Sequence, residues 1–420
     1  MFTFLHVADL ELDVPIKGVL GEAMPESIAS AVRDASLNAW DDVVATAIER
    51  RVAFVLVAGG VHEGAARGTR GQLRFRAGLA RLDAAGIRTF IAAGRGDQPE
   101  DAWVVSGPLP ELVHRFEPSP GGDGTAERVA FEANGDPVVV YGLGDSRHAP
   151  VAGLAGRFPK SATKGFSIGL MHAGVDTDET AVEDAGQVAI ADLLERKIDY
   201  WALGASRVHQ VWHADGPWVV APGSTQARSP QALDRGPHGA VLVAVAGGRA
   251  TGPELLPTDR IRFESVTVDV SELTTVAELL DRLQEAGDPA ANDDRSLIMR
   301  ATLVGSGPLH ERLRDPANRG EVLDALRPRR VNEPFVWWDR VEWRLQPALD
   351  LDEVRKGHDF LADLLATARG NATGAAWKSG LPKLPADVAR QLDTAPATSE
   401  PDIIARALGL ALDELTEGYA

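Results

Sequence analysis

Phe2-Thr3-Phe4-Leu5-His6-Val7-Ala8-Asp9-Leu10-Glu11-Leu12-Asp13 is an apolar run that ends abruptly in acidic residues at alternate positions. Such a run reads as a central strand that carries carboxylates to the edge of a sheet. In an open α/β sheet ligands sit in the crevice beyond the carboxyl ends of the strands, so Asp9 and Glu11 stand where a site belongs. The competing reading is plainer: the acids solvate a strand end and lead into the turn at Pro15.

The following segments repeat a strand and helix scheme. Ile28, Val32, Ala35, Val43, Val44 and Ala47 recur at helical spacing within residues 26–50, and Val52–Ala58 is a short continuous apolar run ending at Gly59-Gly60. Leu73, Phe75, Leu79 and Leu82 mark a second helix over 71–86, after which Ile87–Ala93 leads into Gly94-Arg95-Gly96-Asp97. Gly- and Pro-rich residues 118–124 mark a surface excursion, and strands resume at 128–132 and 137–142. Residues 166–171 read as a strand delivering His172, residues 186–196 as a helix, and 198–204 as another strand leading to Ala205-Ser206-Arg207-Val208-His209. Strands at 218–221 and 240–245 complete this unit.

From about residue 258 the texture changes to alternation at 261–268, a helix through Val276–Leu283, a strand near 297–304, a helix near 320–326 and the aromatic strand Phe335-Val336-Trp337-Trp338. Beyond 346 the pattern is helical with a Gly/Ala/Pro-rich break, and Ile403, Ile404, Leu408, Leu412 and Leu415 share one helix face.

Composition bounds the function. The 420 residues carry a net charge of −18, which argues against a broad phosphate-binding surface. With no cysteine, the ligands for any metal are His, Asp and Glu. No apolar run approaches the roughly 18 residues a spanning helix needs, and no signal peptide opens the sequence, so a cytoplasmic protein is expected.

Phe4–Leu10, Asp199–Gly204 and Pro222-Gly223-Ser224-Thr225-Gln226-Ala227-Arg228, in this order, resemble the calcineurin-like metallophosphoesterases, and within them the DNA-repair exonuclease subunits of the SbcD and YhaO type. The resemblance implies an α/β fold, the metallophosphoesterase-type αββα sandwich, over residues 1–257. It also implies a small α+β capping domain over 258–346 and a helical C-terminal tail, 347–420, that contacts a partner. The family holds two metal ions with D-x-H, G-D, G-N-H-D/E, a lone His and G-H-x-H, and the cations clamp a phosphoryl group and generate hydroxide from water.

Here the motifs are degraded. Asp9 remains, with Glu11 in place of the first His; Gly60 replaces the bridging aspartate. Arg95 and Gly96 replace the Asn ligand and the catalytic His, while the trailing Asp97 is kept. His172 keeps its strand-end position, and Ala205 and Arg207 replace both His ligands of the last motif. Only Asp9 and His172 survive as ligand positions, so no metal is expected, and Arg95 and Arg207 would repel cations. The reading is a catalytically inactive subunit acting structurally beside an SbcC-like or YhaN-like coiled-coil ATPase, with DNA reached through that complex and homodimerisation left open. Two alternatives stand: an active exonuclease or phosphohydrolase in which His62, Glu63 or His209 supply replacement ligands for manganese or another divalent metal, and a phosphate- or nucleotide-sensing module using Arg95 and Arg207. A further expectation makes those two arginines surrogate cations paired with Asp9, Glu11 or Asp97.

Overall fold

Strand Phe2–Val7 lies between Gly239–Ala246, with which it pairs antiparallel, and Phe54–Ala58, with which it pairs parallel (Phe4 opposite Phe54, Val7 opposite Val57). A computed structural model describes residues 1–346 except 13, 20–23, 63–67, 98–107, 118–123, 146–152, 162–163, 178–185, 232–233, 289–294, 314 and 328–333. The expected tail, 347–420, and Glu63 therefore lie outside the described residues. These residues form two compact units, one of Met1–Glu264 with 295–298 and 334–335, the other of Ser265–Asp288, 299–327 and 336–346.

In the first unit a seven-stranded sheet runs in the order Arg249–Ala250, Gly239–Ala246, Phe2–Val7, Phe54–Ala58, Arg88–Ala92, Val113–Phe116, with Glu254–Pro257 also pairing with Gly239–Ala246. A six-stranded sheet follows the order Gln210–His213, Trp218–Ala221, Tyr200–Leu203, Phe166–Met171, Asp136–Leu143, Glu127–Ala133. The period of two in a strand sorts their side chains. Phe2, Phe4, Phe54 and Phe90 of one sheet meet Val138, Val140, Phe166, Ile168 and Tyr200 of the other in a single buried core. Phe4 stacks on Phe54 and meets Tyr200 edge-on.

The opposite faces are covered by helices. Leu5, Val7, Val55 and Val57 pack under helices Glu26–Glu49 and Thr69–Ala84 through Leu37, Trp40, Val43, Phe75 and Leu79. Tyr141, Met171, Trp201 and Val219 pack with Leu154, Phe158 and Leu193 on the far side. This is the αββα sandwich. The expected helix at 186–196 is instead a three-residue strand, Gly186–Val188, paired parallel to Ala173–Val175, followed by the short helix Ile190–Leu194. Tertiary pairing there overrides the local pattern.

The second unit takes part in a three-stranded sheet in the order Ile261–Asp269, Ser296–Ser306, Val336–Gln346, with helices Val276–Ala286 and Pro316–Leu326. Thr275 and Glu278 form a reciprocal capping box at the start of the first helix, satisfying main-chain N–H groups that the helix leaves open. Asp315 caps the second at the N–H of Ala317, with Pro316 at the first helical position. Among the described residues no helix is long and apolar enough to cross a membrane.

Candidate functional site

The carboxyl ends of Phe2–Val7, Phe54–Ala58, Arg88–Ala92, Phe166–Met171 and Tyr200–Leu203 deliver Asp9, Gly60, Asp97, His172 and Ala205 to one region of the first unit. The loops after the first two strands run side by side: Asp9 N–H donates to Gly59 O at 3.0 Å, Glu11 N–H to Gly60 O at 2.8 Å and Leu12 N–H to Val61 O at 2.9 Å. Asp9 and Glu11 hold left-handed backbone, φ 49° and 42°, and so does Ala205, φ 59°. Non-glycine residues rarely adopt it, and such strain gathers at functional sites.

The acids brought here are already satisfied. His172 Nε2 donates to Asp9 Oδ1 at 2.9 Å, and the N–H of Ala205 donates to Asp9 Oδ2 at 2.9 Å. Asp97 Oδ1 accepts from the N–H of His62 at 2.8 Å, and its Oδ2 from the N–H groups of Gly94 at 2.9 Å and Val61 at 3.3 Å. Asp9 and His172 are both buried, 4% and 8% exposed. Burial works against a charged imidazole, yet Asp9, through charge and hydrogen bond, and behind it Asp97 and Asp145, raise the His172 pKa above its ordinary value.

Glu11 is paired differently. Arg228 Nε lies 2.9 Å from Glu11 Oε2, and its guanidinium also donates to Val14 O, tying the loop after the first strand to Pro222–Arg228. Sequence reasoning placed Arg228 in a motif but missed this role. Of the two expected surrogate cations, Arg207 is corrected, being exposed and in no ion pair among the described residues; the side chain of Arg95 lies outside the described residues. Among the described residues, the side chains bonded to Asp9 and Glu11 are His172 and Arg228.

Room is as telling as chemistry. Gly59 and Gly60 have φ of 72° and 67°. A Cβ on Gly60 would lie 2.4 Å from Asp9 Oδ1, one on Gly59 2.6 Å from His172 Cβ, and one on Gly204 2.8 Å from His172 Cδ2. Backbone closes around the Asp9–His172 pair.

This donor set does not fit a dimetal centre. Asp9 and His172 spend their facing atoms on one another, and Gly60, Gly96, Ala205 and Arg207 offer no ligand. Among the described residues no group of three or more His, Asp or Glu is placed to hold a metal ion. Of the expected substitutes, the His62 ring is buried against Phe75 on the helix side, and His209 donates from Nδ1 to Ala221 O at 2.9 Å.

The sandwich, with its candidate residues on the loops beyond the strand ends, is the fold of the metallophosphoesterases, and the chain is similar to members of that class. Residues 263–346 match the family model of the metallophosphoesterase YhaO, middle domain. The chain is 28% identical over 339 residues, 80% of its own length and 80% of the relative's, to the uncharacterized metallophosphoesterase YhaO of Bacillus subtilis strain 168. Similar solved structures include a dimetal phosphatase from Danio rerio, 13% identical with a TM-score of 0.35, covering 59% of this chain and 93% of that one. Another is zinc-complexed Vps29 from Entamoeba histolytica, 13% identical with a TM-score of 0.26, covering 61% of this chain and 99% of that one.

Proposed function

We propose that this chain is a metallophosphoesterase-fold subunit without a working dimetal centre, acting structurally in the cytoplasm beside an SbcC-like or YhaN-like coiled-coil ATPase, with DNA reached through that complex. The observation that carries the loss of catalysis is the direct 2.9 Å contact of His172 Nε2 with Asp9 Oδ1, with Asp9 Oδ2 closed by the Ala205 N–H. A metal-activated hydroxide needs cations held by atoms that here already bond one another. The match of residues 263–346 to the YhaO middle domain supports a YhaO-type subunit, and the ATPase partner follows from that resemblance. The test is hydrolysis of single- and double-stranded DNA by the purified chain with added manganese. No cleavage above the metal-only control is expected, and cleavage abolished by Asp9→Asn would overturn the proposal.

A further inference from the structure

Glu127–Ala133 is the outermost strand of the six-stranded sheet, seven residues long, and its pairing with Asp136–Leu143 runs without a break from Ala133 opposite Asp136 to Glu127 opposite Gly142. The other outer strands of the first unit have two to four residues, and Gln210–His213 is bulged between Val211 and His213. Short or bulged edges resist further pairing, whereas a long regular one invites it.

The hairpin decides which main-chain groups of this edge face outward. Asn134 and Gly135 hold φ of 52° and 85°, so a two-residue turn joins the strands, and Ala133 with Asp136 is the first hydrogen-bonded pair. Such pairs alternate along the ladder. Phe131, Val129 and Glu127 therefore turn their N–H and C=O groups toward Asp136–Leu143, while Arg128, Ala130 and Glu132 turn theirs outward. Pro137 agrees with this phase: it has no N–H and stands opposite Glu132, where none is needed. Among the described residues no third strand meets the outward groups.

The side chains carry an independent signal. Arg128, Ala130 and Glu132 are exposed, and across the hairpin the two charges face Tyr141 and Pro137, so neither has an opposite charge beside it on that strand. Val129 and Phe131, on the other face, are half-buried at the rim of the core between the sheets.

We infer that two copies of this chain join along this edge, antiparallel about a two-fold axis at Ala130, into one continuous sheet. In that register Arg128 stands opposite Glu132 of the second copy and Glu132 opposite its Arg128, and these pairs, with Ala130 against Ala130, exchange N–H···O bonds through the outward groups. Val129 meets Phe131 of the second copy, an aromatic and β-branched pair of the kind that stabilises adjacent strands. Neighbouring registers lose the match. An axis at residue 128 or 132 sets Arg128 against Arg128 or Glu132 against Glu132, and an axis at 129 or 131 sets Ala130 opposite one of the charges. The partner is a second copy because the charge pattern of this edge complements itself when reversed.

The test is sedimentation velocity of the full chain over about a hundredfold range of concentration. A concentration-dependent dimer with a dissociation constant on the order of micromolar is expected, since a single strand edge makes a small interface. Arg128→Glu and Glu132→Arg should each weaken it by at least about tenfold, because each sets like charges opposite one another on both sides of the axis. Their thermal midpoints should be unchanged, as both side chains are exposed. An equimolar mixture of the two variants should dimerise again, to within about threefold of the unaltered chain, because every acid then faces an arginine. A monomer at every concentration, a dimer indifferent to both variants, or a mixture that stays monomeric overturns the proposal.

Discussion

His172 Nε2 sits 2.9 Å from Asp9 Oδ1, joining residues 163 positions apart across the ends of two strands in different sheets. Both are buried, so the pair lies in a medium where a lone charge is expensive.

Asp9→Asn should therefore destabilise the chain by about 3–5 kcal/mol, the cost of leaving a buried partner uncompensated. Urea denaturation measures it. A change below about 0.5 kcal/mol, typical of a surface substitution, would show that the pair holds nothing together.

Arg228→Gln should cost less, about 1–2 kcal/mol, because Glu11 is partly exposed and part of the contact is to the Val14 carbonyl. The loss should be local. Hydrogen exchange at the amides of 11–17 is expected to quicken while the core strands Phe2–Val7 and Phe54–Ala58 keep their protection.

Stability should also fall in mild acid through His6. This ring lies in the core with Nδ1 3.1 Å from the Tyr200 hydroxyl, and burial, with a smaller push from His209, lowers its pKa to about 3. The unfolded chain then binds the extra proton between pH 6.5 and about 3, so the contribution is full above pH 6.5 and is lost as pH falls through that window. At pH 5 the loss is about 2 kcal/mol, and it should be absent in His6→Phe. Denaturation of both proteins at pH 7 and pH 5 checks the difference.

Restoring the family's aspartate by Gly60→Asp should not restore a metal site. The backbone there has φ 67°, and a Cβ would lie 2.4 Å from Asp9 Oδ1 and 2.8 Å from Asp9 Cα. A destabilisation of about 1–3 kcal/mol is expected, without manganese binding by calorimetry. Manganese bound tightly by this single variant would mean that the loops open easily.

Much of the sandwich was legible in the sequence because burial on one or both faces writes itself into spacing. Phe2–Val7, Phe54–Ala58 and helix Glu26–Glu49 stand where the apolar pattern puts them. Short elements fixed by distant partners were not legible: Gly186–Val188 is a strand only because Ala173–Val175 lies beside it. The site divides in the same way. Asp9, Gly60, Asp97, His172 and Ala205 follow from motif order, but the atoms that neutralise the acids do not. Arg207, like Arg95, sits at a former ligand position and was expected to pair with Asp9, Glu11 or Asp97; the guanidinium that reaches Glu11 belongs to Arg228, placed by a loop more than two hundred residues further along the chain. Which of two nearby arginines pairs is decided by loop path, and spacing carries no record of that.

The central claim, that side-chain and main-chain donors have replaced the dimetal centre, is tested most directly by metal analysis of the purified full chain after dialysis against manganese. No stoichiometric manganese or other transition metal is expected. Two tightly held ions per chain, the complement of a two-metal phosphoesterase, would contradict it.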